Sequence, residues 1–215
     1  MAYVADNSFM GMTSPMQGHR SRFQMTRYFG AVNMYTALID YRKYFFIKPV
    51  SLAFRAYHYG RYGFDKGADL ISPLYLGYPW LIRGYENISF IGNNYSVEEG
   101  SFNISHLSGS RIAVGNIELR VPLTGPERIA PIKSKYFLTD INLFFDAGLA
   151  WNSDSDISLD WTPETFDERI PVYSAGISAR LNLMGVIVFE PYLAVPFQNG
   201  GFDNISFGFN LIPGW

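Results

Sequence analysis

Along much of this chain the side chains change character at every second residue. From Ile205 onward the odd positions are Ile205, Phe207, Phe209, Leu211, Pro213 and Trp215, while the even ones are Asn204, Ser206, Gly208, Asn210, Ile212 and Gly214. Over 137–151, Phe137, Thr139, Ile141, Leu143, Phe145, Ala147, Leu149 and Trp151 alternate with a series that includes Asp140, Asn142, Asp146 and Gly148. Over 173–183, Tyr173, Ala175, Ile177, Ala179, Leu181 and Leu183 alternate with Ser174, Gly176, Ser178, Arg180 and Asn182. A period of two marks a β-strand with one apolar face. The same reading predicts nine strands, near 2–9, 20–29, 33–46, 50–60, 110–122, 137–151, 172–184, 186–197 and 203–213. Helix signals are nearly absent.

Links of two kinds join these strands. Phe29-Gly30-Ala31-Val32, Ile47-Lys48-Pro49 and Met184-Gly185 fit tight hairpin turns, whereas 61–109 and 152–171 are long and rich in Gly, Asn, Ser, Asp and Pro. Short turns at one end, long loops at the other and strands well beyond the common five or six residues predict an antiparallel transmembrane β-barrel, all-β, with 1–215 as one domain. In a soluble sandwich the apolar rows would fill a packed core, with no need for such long strands. Here they are expected to meet the lipid bilayer. Tyr28, Tyr35, Tyr41, Tyr44, Tyr57, Tyr59, Trp151 and Trp215 supply the amphipathic rings that barrels carry near the lipid–water boundary.

Composition narrows the choice further. The chain is 48% hydrophobic and 17% charged, with 18 Phe, 15 Tyr and 4 Trp, too apolar and aromatic for a disordered segment. Its 17 Lys and Arg against 19 Asp and Glu leave a net charge of −2, so no nucleic-acid partner is expected. Absence of Cys excludes disulfide frameworks, thiol nucleophiles and Cys-bearing metal sites. No run approaches 18 apolar residues, the minimum for a spanning helix. The first residues show neither a basic nor an apolar leader region, which fits a cytosolic start or a numbering that begins after a removed segment.

Four ordered motifs resemble the BamA/TamA superfamily of outer-membrane barrels. Leu81-Ile82-Arg83-Gly84-Tyr85, after Leu76-Gly77-Tyr78-Pro79-Trp80, is similar to that family's conserved loop motif. Asn116-Ile117-Glu118-Leu119-Arg120-Val121-Pro122-Leu123, Phe144-Phe145-Asp146-Ala147-Gly148-Leu149-Ala150-Trp151 and Ser174-Ala175-Gly176-Ile177-Ser178-Ala179-Arg180-Leu181 resemble three of its strands. The resemblance implies a bacterial outer-membrane location and the C-terminal part of a sixteen-stranded barrel, with five strands after a long loop that folds inward. It also implies partners: missing N-terminal barrel strands or a second chain, and unfolded barrel clients. The activity implied is insertion or translocation of proteins through a lateral seam; a passive anchor or channel for an attached soluble domain is the alternative. Phe207, Phe209, Leu211 and Trp215 resemble the family's C-terminal signature, and the candidate seam strand 203–213 is weakened by Gly208, Pro213 and Gly214.

Candidate chemistry centres on a lumen rather than on catalysis. Arg83, Glu118 and Asp146 can all reach the polar face, where an isolated charge is costly and a bidentate Arg–carboxylate pair is not. Arg83 is therefore expected to pin the 61–109 loop through Glu118 and Asp146, as the resemblance also implies; alternatively Arg83 is solvated and the acids pair with Arg120 or Arg180. Gly84 reads as a positive-φ or close-approach residue and Tyr85 as a ring against the wall, or both as a surface turn. His19, His58 and His106 could form a Ser–His pair, for instance with Ser108. No motif for a nucleophile elbow, a metal or a phosphate loop accompanies them, so no enzyme activity, cofactor or metal is expected.

Overall fold

Strand residues dominate the computed structural model, which describes residues 1–63, 71–86, 102, 104–163, 165, 168–183 and 187–211. The main strands are β1 (Ala2–Asp6), β3 (Pro15–Tyr28), β4 (Met34–Ile47), β5 (Val50–Gly63), β8 (Arg111–Gly125), β10 (Phe137–Trp151), β11 (Val172–Leu183), β12 (Ile187–Pro196) and β13 (Ser206–Asn210). Four two-residue pieces join them: β2 (Phe9–Met10), β6 (Leu74–Tyr75), β7 (Ser108–Gly109) and β9 (Ile132–Lys133). Among the described residues the helical turns are 3₁₀ segments at Ile104–Leu107 and Gly201–Asn204.

One sheet of 11 strands follows chain order, β1-β3-β4-β5-β8-β10-β11-β12-β13, with β2 appended antiparallel to β3 and β9 parallel to β8. Every step along that path is antiparallel. Among the described residues β1 and β13 do not pair with each other, so the sheet is open. β6 and β7 form a separate small ladder inside the long loop.

Alternation decides which face is which. On β8 and β10 the burial pattern switches at nearly every residue. Ile117, Leu119, Val121, Leu143, Phe145, Ile177, Leu193, Phe207 and Phe209 are exposed, while Asn116, Glu118, Arg120, Asn142, Asp146, Ser174, Ser178 and Arg180 are buried. That is the inverse of a soluble sheet: the apolar face is bare and the charged face is covered. An apolar surface of this extent calls for lipid.

Three layers cover the polar face. At the long-loop end an apolar cluster joins Leu76, Leu81, Ile82 and Tyr85 of the loop to Ile112, Ala150 and Val172 of the wall. Below it lie the buried charges. At the short-turn end the segment between β2 and β3, with the first residue of β3, folds inward: Arg120 Nη1 donates to Pro15 O and Asn182 Nδ2 to Met12 O, both at 2.8 Å, and Thr13 Oγ1 donates to Asp140 Oδ2.

Several boundaries differ from the sequence reading: β1 stops at Asp6 instead of 9, and β5 and β8 run on to Gly63 and Gly125 instead of 60 and 122. β3 starts at Pro15 instead of 20, because β2 pairs with its first residues and Gly18 takes a φ of 99° there. Strand 203–213 shortens to β13, since Gly200 and Gly201, at φ 82° and 56°, start a 3₁₀ turn that consumes 201–204. Residues 212–215 of the expected seam strand, Trp215 among them, lie outside the described residues.

Candidate functional site: the charged centre of the lumen

Arg83 comes down from the loop between β5 and β8 and meets the inner face of β8, β10 and β12. Its Nε and Nη2 donate to Asp146 Oδ2 and Oδ1, each at 2.8 Å, and its backbone N–H also reaches Oδ2 at 3.2 Å. Nη1 donates to Glu118 Oε1 at 2.7 Å and to Glu190 Oε1 at 3.2 Å. The guanidinium carbon stands 3.6 Å from the centroid of the Phe144 ring. Phe144 can lie across β11 because Gly176 is its cross-strand neighbour; a Cβ there would come within 2.6 Å of the ring. Thus the hydrogen-bonding edge of Arg83 takes carboxylates while its flat face takes an aromatic ring, a use to which a guanidinium is suited and an ammonium is not.

Glu118 is the hub. It accepts from Arg83, from Arg120 Nε at 2.9 Å and from Arg180 Nη2 at 3.0 Å on Oε2 and 3.1 Å on Oε1. Arg180 Nε also donates to Glu190 Oε2 at 3.2 Å, and Ser178 Oγ donates to Glu190 Oε1 at 2.5 Å. Arg83, Arg120 and Arg180 therefore stand against Glu118, Asp146 and Glu190, three cations to three anions. All six are buried, with exposures of 2% or less. Such a cluster is tolerable away from water only when complete, because one missing partner leaves an uncompensated charge. For the loop residue Arg83, burial by itself favours loss of the proton. The charges of Asp146, Glu118 and Glu190 outweigh that and raise its pKa above the ordinary arginine value.

Loop residues on either side of Arg83 are fixed as firmly. Asn116 Nδ2 donates to Leu81 O and to Asp146 Oδ1, both at 2.8 Å. Gly84 has a φ of 90°, and a Cβ there would stand 3.0 Å from the Ala194 methyl, so a side chain would be strained in both respects. Tyr85 is fully buried; its hydroxyl donates to Tyr173 O at 2.8 Å, lies 2.9 Å from Gln198 Oε1 and accepts from Gln198 N at 3.2 Å. Burial pushes the phenol's pKa up, against the hydrogen bonds at Gln198 and Tyr173. Glu86 then ties the loop to the end of the sheet: Oε1 accepts from Tyr192 Oη on β12 and Oε2 from Ser206 Oγ on β13 at 3.3 Å.

The structure thus brings Arg83, Gly84, Tyr85, Glu118 and Asp146 together. It also brings in Arg120 and Arg180, which the sequence offered as competing partners for the acids and which join Arg83 on the same carboxylate. Glu190 and Glu86 had no part in the sequence reading. Glu190 follows the inward parity of Tyr192 and Ala194, the one signal available for it. Phe207 and Phe209 point outward on β13, away from the cluster, and Leu211 follows the strand, exposed. His58 faces outward too, with Nδ1 2.9 Å from Ile112 O and Nε2 2.7 Å from Tyr62 Oη, whereas His106 is buried in the loop and stacked on Phe102. Among the described residues no group of three or more His, Asp and Glu is arranged to hold a metal ion. With its carboxylate oxygens committed to guanidinium groups, the cluster is built to hold a loop in place.

A family model described as the Omp85 superfamily domain matches residues 6–214. No curated protein matches the sequence.

Proposed function

Because the chain belongs to the Omp85 superfamily, whose members are outer-membrane β-barrel proteins of bacteria involved in protein insertion or translocation, we propose that this barrel handles its clients at the free edge of β13. One observation carries the reading. β13, the final strand of the sheet among the described residues, has only five residues, pairs with no further strand on its outer side there, and is tied through Glu86 to the loop that Arg83 anchors. Unpaired N–H and C=O groups at a strand edge template an incoming strand, and in hydrocarbon no water competes for them.

The direction of the two edges bears on the partner. Eight antiparallel steps lead from β1 to β13, so the two edges run the same way. An all-antiparallel closure then needs an odd number of further strands whose first and last run opposite to these edges. A second copy of this sheet in the same membrane orientation starts in the wrong direction. Further N-terminal barrel strands of the same protein, or a different chain, fit that requirement. No catalytic step is part of the proposal.

Site-specific cross-linking tests it, and the lack of native Cys makes single-Cys variants clean. Ser206→Cys or Asn210→Cys on β13 is expected to capture the C-terminal strand of an unfolded barrel client during assembly. Capture of the completing barrel strand alone, with no client under any assembly condition, would leave a passive anchor or channel.

A further inference from the structure

At the long-loop end of the sheet, aromatic rings and two arginines line up across five strands on the outward face. Arg27 on β3 pairs with Tyr35 on β4, and Tyr35 with Tyr62 on β5. Gly60, two residues earlier on β5, pairs with Arg111 at the start of β8, and Arg111 pairs with Trp151 at the end of β10. By parity all lie on the face that carries Ile39, Ile117 and Phe145, the face read above as meeting lipid.

Each arginine rests on a ring. Arg27 Cζ stands 4.1 Å from the Tyr35 centroid and 4.9 Å from that of Phe29, and Arg111 Cζ stands 4.6 Å from that of Tyr62. Tyr62 lies back over Gly60, where a Cβ would come within 2.7 Å of the ring, and its hydroxyl meets His58, which stacks on Trp151. The platform under Arg111 is thereby braced.

Neither arginine has an anionic partner among the described residues. Arg27 Nη2 donates to the Asn33 amide oxygen and Arg111 Nη2 to Ser153 Oγ at 3.1 Å, both neutral acceptors. Arg83, Arg120 and Arg180 inside the lumen each face carboxylates. Two cations without counter-charges, held on rings at the end of lipid-facing strands, sit where a bilayer places its headgroups. Stacking occupies one face of a guanidinium; with Nη2 of each arginine on a neutral oxygen and Arg111 Nε buried, the Nη1 side is left to meet phosphate oxygens. Three inter-strand steps separate them by about 14 Å, room for two separate phosphate groups.

We propose that this row binds the phosphates of anionic lipid headgroups, one at Arg27 and one at Arg111, with Tyr35, Tyr62 and Trp151 packing against the lipid below them. The proposal rests on the outward face being the membrane face.

Native mass spectrometry of the full chain in detergent micelles, with phosphatidic acid or phosphatidylcholine added at equal mole fraction, tests it. The wild type is expected to retain phosphatidic acid about ten-fold better, roughly the worth of one charge-assisted hydrogen bond. Arg27→Gln with Arg111→Gln is expected to abolish that preference while leaving phosphatidylcholine retention unchanged. Equal retention of both lipids by the wild type, or an undiminished preference in the double variant, overturns the proposal. Displacement of phosphatidic acid by millimolar inorganic phosphate would also overturn it, in favour of a soluble-anion site. Should the double variant fail to fold, the wild-type comparison decides alone. A chain that stays soluble without detergent and retains neither lipid would overturn the membrane reading as well; insertion without lipid preference would overturn this proposal only.

Discussion

Asp146 grips Arg83 with both carboxylate oxygens, and the same oxygens also hold the Arg83 backbone N–H and the Asn116 amide. One side chain on β10 therefore fixes both the side chain and the main chain of the loop. Arg83→Ala would leave three buried carboxylates facing two guanidinium groups, at a cost of about 3–5 kcal/mol. Arg83→Lys is expected to recover only part of this, since an ammonium offers neither the two-pronged match to Asp146 nor the flat face that Phe144 underlies. Urea unfolding of the micelle-bound chain measures both. Adding Asp146→Asn to Arg83→Ala should cost less than the two single losses combined, because the double change removes a charge of each sign. Strict additivity would mean that the pair does not act as a unit.

Glu86 is the link between this anchored loop and the sheet's free end. Glu86→Gln keeps the shape but removes the charge that Tyr192 Oη and Ser206 Oγ address. Amide hydrogen exchange in β13, Ser206–Asn210, is expected to accelerate several-fold, with exchange in β10 and β11 unchanged, since those strands are paired on both sides. Tyr192→Phe should produce the same pattern at smaller amplitude. Equal acceleration in all three strands would assign Glu86 a general role in stability and none at the edge.

Parity alone placed Glu118, Asp146, Arg180 and Asn142 on the polar face, and the length of β10 was readable because fifteen residues keep one alternation. What parity cannot show is where a loop lies once it leaves its strand. Arg83 meets Asp146 at a separation of 63 residues and Glu190 at 107, contacts set by how the sheet curves round the loop. Glu190 was harder to see because Pro191 follows it and lacks an N–H for the ladder: pairing of β11 with β12 runs to Ser178↔Tyr192 and resumes at Leu181↔Phe189. The short β13 escaped the pattern for a different reason. Asn204 and Ile205 continue the alternation in letters, while Gly200 and Gly201 turn the backbone out of the strand.

Tyr85 gives the loop a pH dependence. Burial raises the phenol's pKa in the folded protein, so the neutral form is favoured there. In the unfolded chain it titrates near its ordinary value of about 10. The corresponding stability is present in full below about pH 10 and diminishes as the pH rises beyond it, since the unfolded state then releases a proton that the folded state retains. The unfolding midpoint is expected to be flat between about pH 7 and 9 and to fall above about 10. Tyr85→Phe should show a shallower alkaline slope than the wild type, and the other tyrosines contribute equally to both chains. Identical slopes would show that Tyr85 is accessible to hydroxide.

Thr13 and Asp140 make the corresponding tie at the short-turn end. The segment carrying Thr13 reads as a polar linker of Gly, Met, Thr and Ser, yet Thr13 and Ser14 are buried, and Thr13 donates to Asp140 Oδ2 across 127 positions of chain. Met12 and Pro15 give carbonyls to Asn182 and Arg120, and the Met12 thioether lies against Gly125, where a Cβ would come within 2.1 Å of it; Thr13 adds a side-chain hydrogen bond to these contacts. A hydrogen bond to a charged acceptor contributes about 1.5–3 kcal/mol, and its loss leaves Asp140 buried. Thr13→Val removes the donor while keeping the volume and is expected to destabilise the chain within that range; Thr13→Ser should stay within about 1 kcal/mol of wild type. Exchange should rise at residues 11–15 and in the first residues of β3, while the Arg83 cluster at mid-lumen keeps its protection. If Thr13→Val instead loosened the Arg83 loop to the same degree, the two ends of the lumen would be one cooperative unit, and opening at the short-turn end would release the loop.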